Sequence, residues 1–290
     1  MITTKPKLQL SPVMELLSRK TAPSPTVQIT EVPMNKQLHR PDTISPDEWD
    51  IRCDLAALYR LVAHYRWTDL IYTHISARAP GTDHHFLIND YRRMFHEMRA
   101  SDLVKIDLNG KKVDNAASDQ VVNEAGFVIH SALHAVRDDL VCIVHTHTKA
   151  GIAVSAQRDG LLPISQHALK FYGHLAYHKY EGIALDVAER DRLVSDLGPN
   201  HRAMILRNHG LLVGGRSIPE AFDHIYFLER ACEAQIAAQS GGAELVICPD
   251  EEIREHTAKQ FRHDEMVPWY NMAWTAALRQ IDPDASDVWT

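Results

Sequence analysis

The stretch Leu140-Val-Cys-Ile-Val-His-Thr-His-Thr148 joins a continuous apolar run to a pair of histidines. A short aliphatic run of this kind reads as a strand buried on both faces, which requires helices above and below it. Residues two apart on a strand project to the same side, so His145 and His147 address one point. The pair falls where the chain leaves the core, and strand ends of α/β sheets are where ligands usually bind. The chain holds 18 histidines, and with so many about one H-x-H pair arises by chance. Two hydrogen-bonded loop histidines are therefore the competing reading at this point.

Working outward from that strand, the apolar spacing of residues 122–136 is helical, and short alternating segments precede it at 71–77, 85–89 and 103–107. Asn109-Gly110 predicts a hairpin turn with a return strand at 111–113. Ser45-Pro46-Asp47-Glu48 predicts a capped helix start with a capping box, and Leu55, Leu58, Leu61 and Val62 continue it with one buried face. Downstream, helices are expected over 149–157 and 186–197, and strands over 202–206 and 211–213. Ser217-Ile-Pro-Glu220 repeats the capping box and opens a long helix that stops at Gly241-Gly242. The pattern predicts one α/β domain with a mixed sheet over residues 45–248. A Pro-rich arm at 1–44, with a short helix near 13–17, precedes it. A helical tail at 249–290, carrying Trp269, Tyr270, Trp274 and Trp289, packs on the domain or on a neighbouring subunit.

The 290 residues suffice for a sizeable core. A formal net charge of -7 argues against a polyanion-binding face, so no nucleic-acid partner is expected. Cys53, Cys142, Cys232 and Cys248 lie far apart, which excludes a disulfide scaffold and a thiolate zinc site and fits a reducing, cytoplasmic setting. No apolar run suits a membrane span or a signal peptide, so no membrane partner is expected either.

A third histidine, in Arg207-Asn208-His209-Gly210, also follows an apolar strand, and Gly210 permits a tight turn or positive φ that aims His209 inward. Three neutral imidazoles plus water or substrate make an open, tetrahedral-type catalytic metal site. Such an ion polarises a carbonyl and stabilises an enolate. Five segments together carry a resemblance. They are Thr73-His-Ile-Ser76, Ser101-Asp-Leu-Val104 followed by Ile106-Asp107, Ala125-Gly-Phe-Val-Ile-His130, His145-Thr-His147 and Asn208-His-Gly210. In this order, over roughly two thirds of the chain, they resemble the class II aldolase and adducin head family. The resemblance implies a three-layer α/β/α sandwich around a central, largely antiparallel mixed sheet, a homotetramer, and active sites at subunit interfaces. It also implies that His145, His147 and His209 are the metal ligands, with Zn the first expectation and Mn or Fe equally compatible with the donors.

Several positions depart from the family's sugar-phosphate aldolases. Their acid/base Glu falls at Gly126 here; Glu124, two residues earlier, either substitutes for it or caps the following helix. The phosphate-cradling turns become Thr73-His74-Ile75-Ser76, Tyr91-Arg92-Arg93 and Glu124-Ala125, so a phosphorylated substrate is not expected. Arg92 or Arg93 suits a carboxylate instead, against the alternative of a solvated loop pair. His74, Ser76 and Gln166 complete the expected substrate contacts. The aldolase tyrosine that donates a proton from a neighbouring subunit aligns with His167, and Tyr172 is a nearby alternative. His130 and His134 lie within an apolar helix and are expected to be packed and hydrogen-bonded.

These readings converge on a divalent-metal-dependent carbon–carbon lyase, a decarboxylase or aldolase, for a small non-phosphorylated oxo, hydroxy or aromatic carboxylic acid. Two alternatives stand beside it. One is a non-haem iron oxygenase of an aromatic or keto acid on the same fold. The other is a non-catalytic oligomeric scaffold of the adducin type, against which the three retained histidines argue.

Overall fold

A computed structural model describes residues 36–81, 83–113, 119–182, 189–248, 250–261, 264–281 and 286–290. The expected arm, with its short helix at 13–17, lies almost wholly outside them. Its last residues are described, and Lys36–His39 form a 3-10 turn there.

The first long helix, α1 (Pro46–His64), starts as its sequence dictates, with the Ser45 hydroxyl accepting from the Glu48 amide and proline in the first turn. The expected capping box is not completed. The Glu48 carboxylate turns inward and takes buried Arg52 and half-buried Lys105, because two cations outcompete one backbone amide. The same happens at Glu220, which accepts from the Arg216 amide and pairs with Arg202.

Strands β1 (His74–Arg78), β2 (Phe86–Ile88) and β3 (Val104–Ile106) follow. Helix α2 (Glu124–Val136) leads to β4 (Cys142–Thr146), the strand anticipated from the apolar run. Then come α3 (Lys149–Ser155), α4 (Gln166–Leu169), β5 (Leu175–His178), α5 (Glu189–Leu197), β6 (Ala203–Leu206) and β7 (Gly210–Gly215). The long α6 (Ile218–Ser240) and the tail helices α7 (Glu251–Phe261) and α8 (Val267–Leu278) complete the chain. None of the described helices is long and apolar enough to cross a membrane.

The strands form one sheet in the order β3-β2-β1-β4-β7-β6-β5. Every neighbouring pair is antiparallel except β5 with β6. Strand alternation distributes the core to two layers. Ile75, Val144, Ile205 and Val213 face α1 and α6, while Ile143, Met204 and Leu212 face α2 and α5. The α/β/α sandwich is therefore present as anticipated. Two local expectations change. The return after Asn109-Gly110 is a single bridge, Ile106 with Lys112, because Gly110 at φ 79° turns the chain under Phe127. Strand β5, unanticipated, is the parallel edge strand, with Leu175 and Tyr177 half-buried.

The tail packs on this same chain. Trp274 meets Phe222 of α6 with ring centroids 5.7 Å apart, Val288 is buried, and Ser101 donates its amide to the Thr290 carbonyl.

Candidate metal centre

Strand β4 carries His145 at its end and His147 just past it, and the β6–β7 turn carries His209. The β4–β7 ladder pairs Thr146 with Leu211, which brings the two segments edge to edge. One ligand atom from each histidine lies within 4.8 Å of the others, the only such group among the described residues. His147 Nε2 stands 2.8 Å from His145 Nε2 and 2.9 Å from His209 Nε2.

Two of the three rings are aimed from behind. His145 Nδ1 donates to the Leu211 carbonyl at 2.8 Å, and His147 Nδ1 donates to Asp69 Oδ2 at 3.1 Å. With the proton fixed on Nδ1, the Nε2 lone pair turns into the cluster, the arrangement that orients metal-binding histidines. Burial pushes the His145 imidazole well below its usual range and His209 down to about 4; neighbouring imidazoles reinforce both shifts. The Nε2 lone pairs of His145 and His147 therefore face each other with no proton between them, and they repel. A divalent cation at their meeting point resolves that repulsion, so the donor set fits a metal.

Glu229, on α6, is the part of this centre that no sequence pattern announces. It is fully buried, accepting from Thr146 Oγ1 at 2.5 Å and from Thr148 Oγ1 at 2.7 Å. The carboxylate thus grips both residues flanking His147. Burial raises its pKa to about 7, against the two threonine hydrogen bonds that lower it. An acid whose pKa is raised on folding contributes stability that is complete below its unfolded pKa and lost as pH climbs through the folded value. In the presence of chelator, Glu229 should therefore take away on the order of 3 kcal/mol between about pH 5 and about pH 8, while the buried imidazoles, held below their ordinary range, add stability as pH rises toward that range. Its contribution is read as a difference: the urea stability of Glu229→Gln relative to the wild type should climb through that window, and parallel profiles would remove Glu229 as the source of any loss.

His74 begins β1 directly opposite His145, its Cα partner in the ladder. Both of its ring nitrogens are buried without a hydrogen-bond partner, as is the Thr73 hydroxyl. Each such atom costs about 1–3 kcal/mol of lost hydration. Ser76, expected as a substrate contact, is fully buried and bonded to His130 Nδ1 at 2.6 Å and His134 Nε2 at 2.8 Å. It braces α2 against the sheet, and His130 and His134 are packed as anticipated. Gly126 lies against the His74 ring, and Glu124 opens α2 with its side chain outside the described positions.

Arg92, the expected acid receptor, is instead committed to Asp90 at 2.8 Å and Asp119 at 3.4 Å. Arg93 takes Asp102 at 3.0 Å. Neither arginine brings an unspent cation to a ligand. His167 packs on Phe227 of α6 with centroids 5.0 Å apart, exposed Gln166 opens α4, and Tyr172 donates to Glu251 of α7. The chain gathers His145, His147, His209 and His74, and sets His167, Gln166 and Tyr172 on its α6–α7 side.

The anticipated source of His209's aim also changes. The positive φ belongs to Asn208, at 56°, and not to Gly210. Gly210 is required by close approach: a Cβ there would stand 2.2 Å from the Thr146 carbonyl oxygen. A cavity of about 240 Å³ lies at the opposite end of β6, lined by Lys170, Arg202, Arg216, His224 and Tyr270. Its cations are answered internally, Lys170 by Asp223 and both arginines by Glu220, so the convergent chemistry is at the histidines.

Residues 53–236 match the model of the class II aldolase and adducin N-terminal domain. A Pseudomonas aeruginosa protein named for the class 2 aldolases is 50% identical over 242 residues, covering 82% of this chain and 92% of that one. Alpha-adducin of Rattus norvegicus is 45% identical over 222 residues, covering 75% of this chain but 30% of its own length. The solved L-fuculose 1-phosphate aldolase of Glaciozyma antarctica superposes with a TM-score of 0.72 at 25% identity, covering 85% of this chain and 96% of that one.

Proposed function

Since the chain belongs to the class II aldolase and adducin N-terminal domain family, we propose that it is a divalent-metal-dependent carbon–carbon lyase for a small, non-phosphorylated oxo- or hydroxy-carboxylic acid. The observation that carries this reading is the convergence of three Nε2 atoms whose Nδ1 partners, the Leu211 carbonyl and Asp69, hold two of them in the ligating tautomer. A divalent ion bound there supplies Lewis acidity that polarises a carbonyl and stabilises an enolate.

The rest falls to the chain's own groups. Three neutral imidazoles leave the full charge of a divalent cation unanswered, which favours an anionic ligand with two adjacent oxygens. Ser76, an expected ligand contact, is spent on the α2 imidazoles, so hydroxyl donors for a phosphate are few. Glu229 holds Thr146 and Thr148, and through them the position of His147. In this reading the chain is an oligomer in which the α4 segment of a neighbouring protomer supplies His167 or Tyr172 to return the proton to the product. Zn is the ion of choice, and decarboxylation is favoured over aldol cleavage because loss of carbon dioxide needs no base to begin. The alpha-adducin likeness supports a second reading, a non-catalytic oligomeric head.

One experiment separates these. Protein purified without chelator is analysed for metal and incubated with a panel of oxo and hydroxy acids, with and without a phosphate group, while carbon dioxide and carbonyl products are followed. Metal-dependent product from an unphosphorylated acid is the expected result. Stoichiometric iron with oxygen uptake would replace the lyase by an oxygenase. Absence of both metal and turnover would favour the adducin-type head.

A further inference from the structure

His74 and His145 are paired residues on adjacent antiparallel strands, so their side chains share a sheet face, and their ring centroids lie 5.2 Å apart. His74 is 3% exposed, yet apart from a poorly formed contact with the Tyr72 backbone neither ring nitrogen has a hydrogen-bond partner. Ser76, two residues further on the same face, shows how such a group is normally satisfied there, by His130 and His134. The hydroxyl of the preceding Thr73 is buried and unpartnered as well. Polar capacity is thus left over beside the three-histidine cluster.

The seat of the ring is also built. A Cβ at position 126 would lie 2.7 Å from both Cγ and Nδ1 of His74 and 2.9 Å from Cδ2. Real Cβ atoms do not come so close, and the ring is wedged between α2 and β4, with His130 4.6 Å away on its helix side. Gly126 does not have a positive φ, so backbone conformation does not call for glycine. Its missing side chain is what admits the imidazole.

We propose that His74 is a ligand-contacting residue that hydrogen-bonds a carboxylate oxygen of an oxo-acid held at the His145–His147–His209 centre, and that Gly126 serves to seat it. The assignment rests on the metal-centre reading above. A neutral imidazole has one N–H to donate, and donation to an ionised oxygen is the stronger kind of hydrogen bond. His74 stands outside the group of three whose ligand atoms lie within 4.8 Å of one another, which makes it a wall of the centre and not a fourth ligand.

The test uses the full chain loaded with cobalt(II), and oxalate as the probe anion, each titrated by calorimetry and by the visible spectrum of the ion. In His74→Phe, cobalt affinity should stay within about threefold while oxalate affinity falls about tenfold or more, the size of losing one hydrogen bond to a charged group. His74→Gln should recover part of the loss. Unchanged oxalate affinity in His74→Phe overturns the proposal. Loss of cobalt affinity in that variant overturns it too, making His74 a metal ligand. Wild-type protein that binds no cobalt removes the metal-centre reading and this inference with it, whereas cobalt binding with an indifferent His74 removes only this one. Seating is read without metal. Gly126→Ala should lower the melting temperature by roughly 5 °C in the wild-type background, and by much less in His74→Ala, where the space is vacant. Equal losses in both backgrounds would overturn the role given to Gly126.

Discussion

His147→Ala should lose divalent-metal affinity by well over a hundredfold, and with it the gain in melting temperature that added metal gives the wild type. His147 is the hub of the centre, with its Nε2 the near neighbour of both other Nε2 atoms. Removing a second-sphere partner of a ligating histidine typically costs 10–100-fold in affinity. Asp69→Ala should fall in that range, and loss of the ligand itself should exceed it. For a wild type holding metal at about a thousand times its dissociation constant, the stabilisation from binding is about 4 kcal/mol. The sign reverses in chelator. There the convergent lone pairs are a liability, so His147→Ala should be no less stable than the wild type. A variant that loses stability equally with and without metal would reduce His147 to a packing residue.

Gly210→Ala should be the most damaging small substitution in the sheet. The new methyl would meet the Thr146 carbonyl oxygen at 2.2 Å and His147 Cδ2 at 3.2 Å. The obstacle is backbone, which has no rotamer by which to retreat. Relief requires β7 to move off β4 where Leu211 pairs with Thr146, shifting His209 away from His145 and His147 together. The expected cost is about 3 kcal/mol or more, at the top of what overpacking gives, accompanied by loss of metal. Gly214→Ala is the graded comparison, since its methyl would meet the flexible end of Leu140 at 2.9 Å. Gly241→Ala, with nothing within 4 Å and φ -82°, should be neutral or slightly stabilising. Urea unfolding of the three variants orders them; equal stability of Gly210→Ala and Gly241→Ala would show that β4 and β7 yield freely.

What could be read beforehand was what sits close together along the chain. The apolar run before His145 and the apolar strand before His209 marked both halves of the centre, because a strand that ends in a polar turn delivers that turn to the sheet's edge. The groups that aim these rings were silent. Asp69 is 78 residues from His147, and Glu229 is 83 from Thr146. Neither has a local pattern, because Asp69 is placed by the loop after α1 and Glu229 by the packing of α6. Arg92 shows the reverse case: a fork expected to meet a carboxylate of the substrate meets that of Asp90, two residues away. Gly210 was singled out correctly as special for the wrong reason, since a glycine in sequence does not say whether it answers to dihedral angle or to crowding. Strand β5 was missed because its short stretch ends in His178 beside Asp196, and two-residue periodicity is weak over so few positions.

The order of the strands makes β4 and β7 a seam. On one side lie β1, β2 and β3 from the first half of the chain, and on the other β5, β6 and β7 from the second. Two of the convergent histidines come from β4 and its exit, and the third comes from the turn entering β7, 62 residues beyond His147. An ion seated among them is a rivet through that seam. It would seat only after the two halves had docked, so metal uptake during refolding should report that docking. Once in place it closes a long loop, and loosening of the halves becomes conditional on its departure. Resistance to proteolysis should therefore track metal occupancy in the second half of the chain, far beyond the reach of the three side chains themselves.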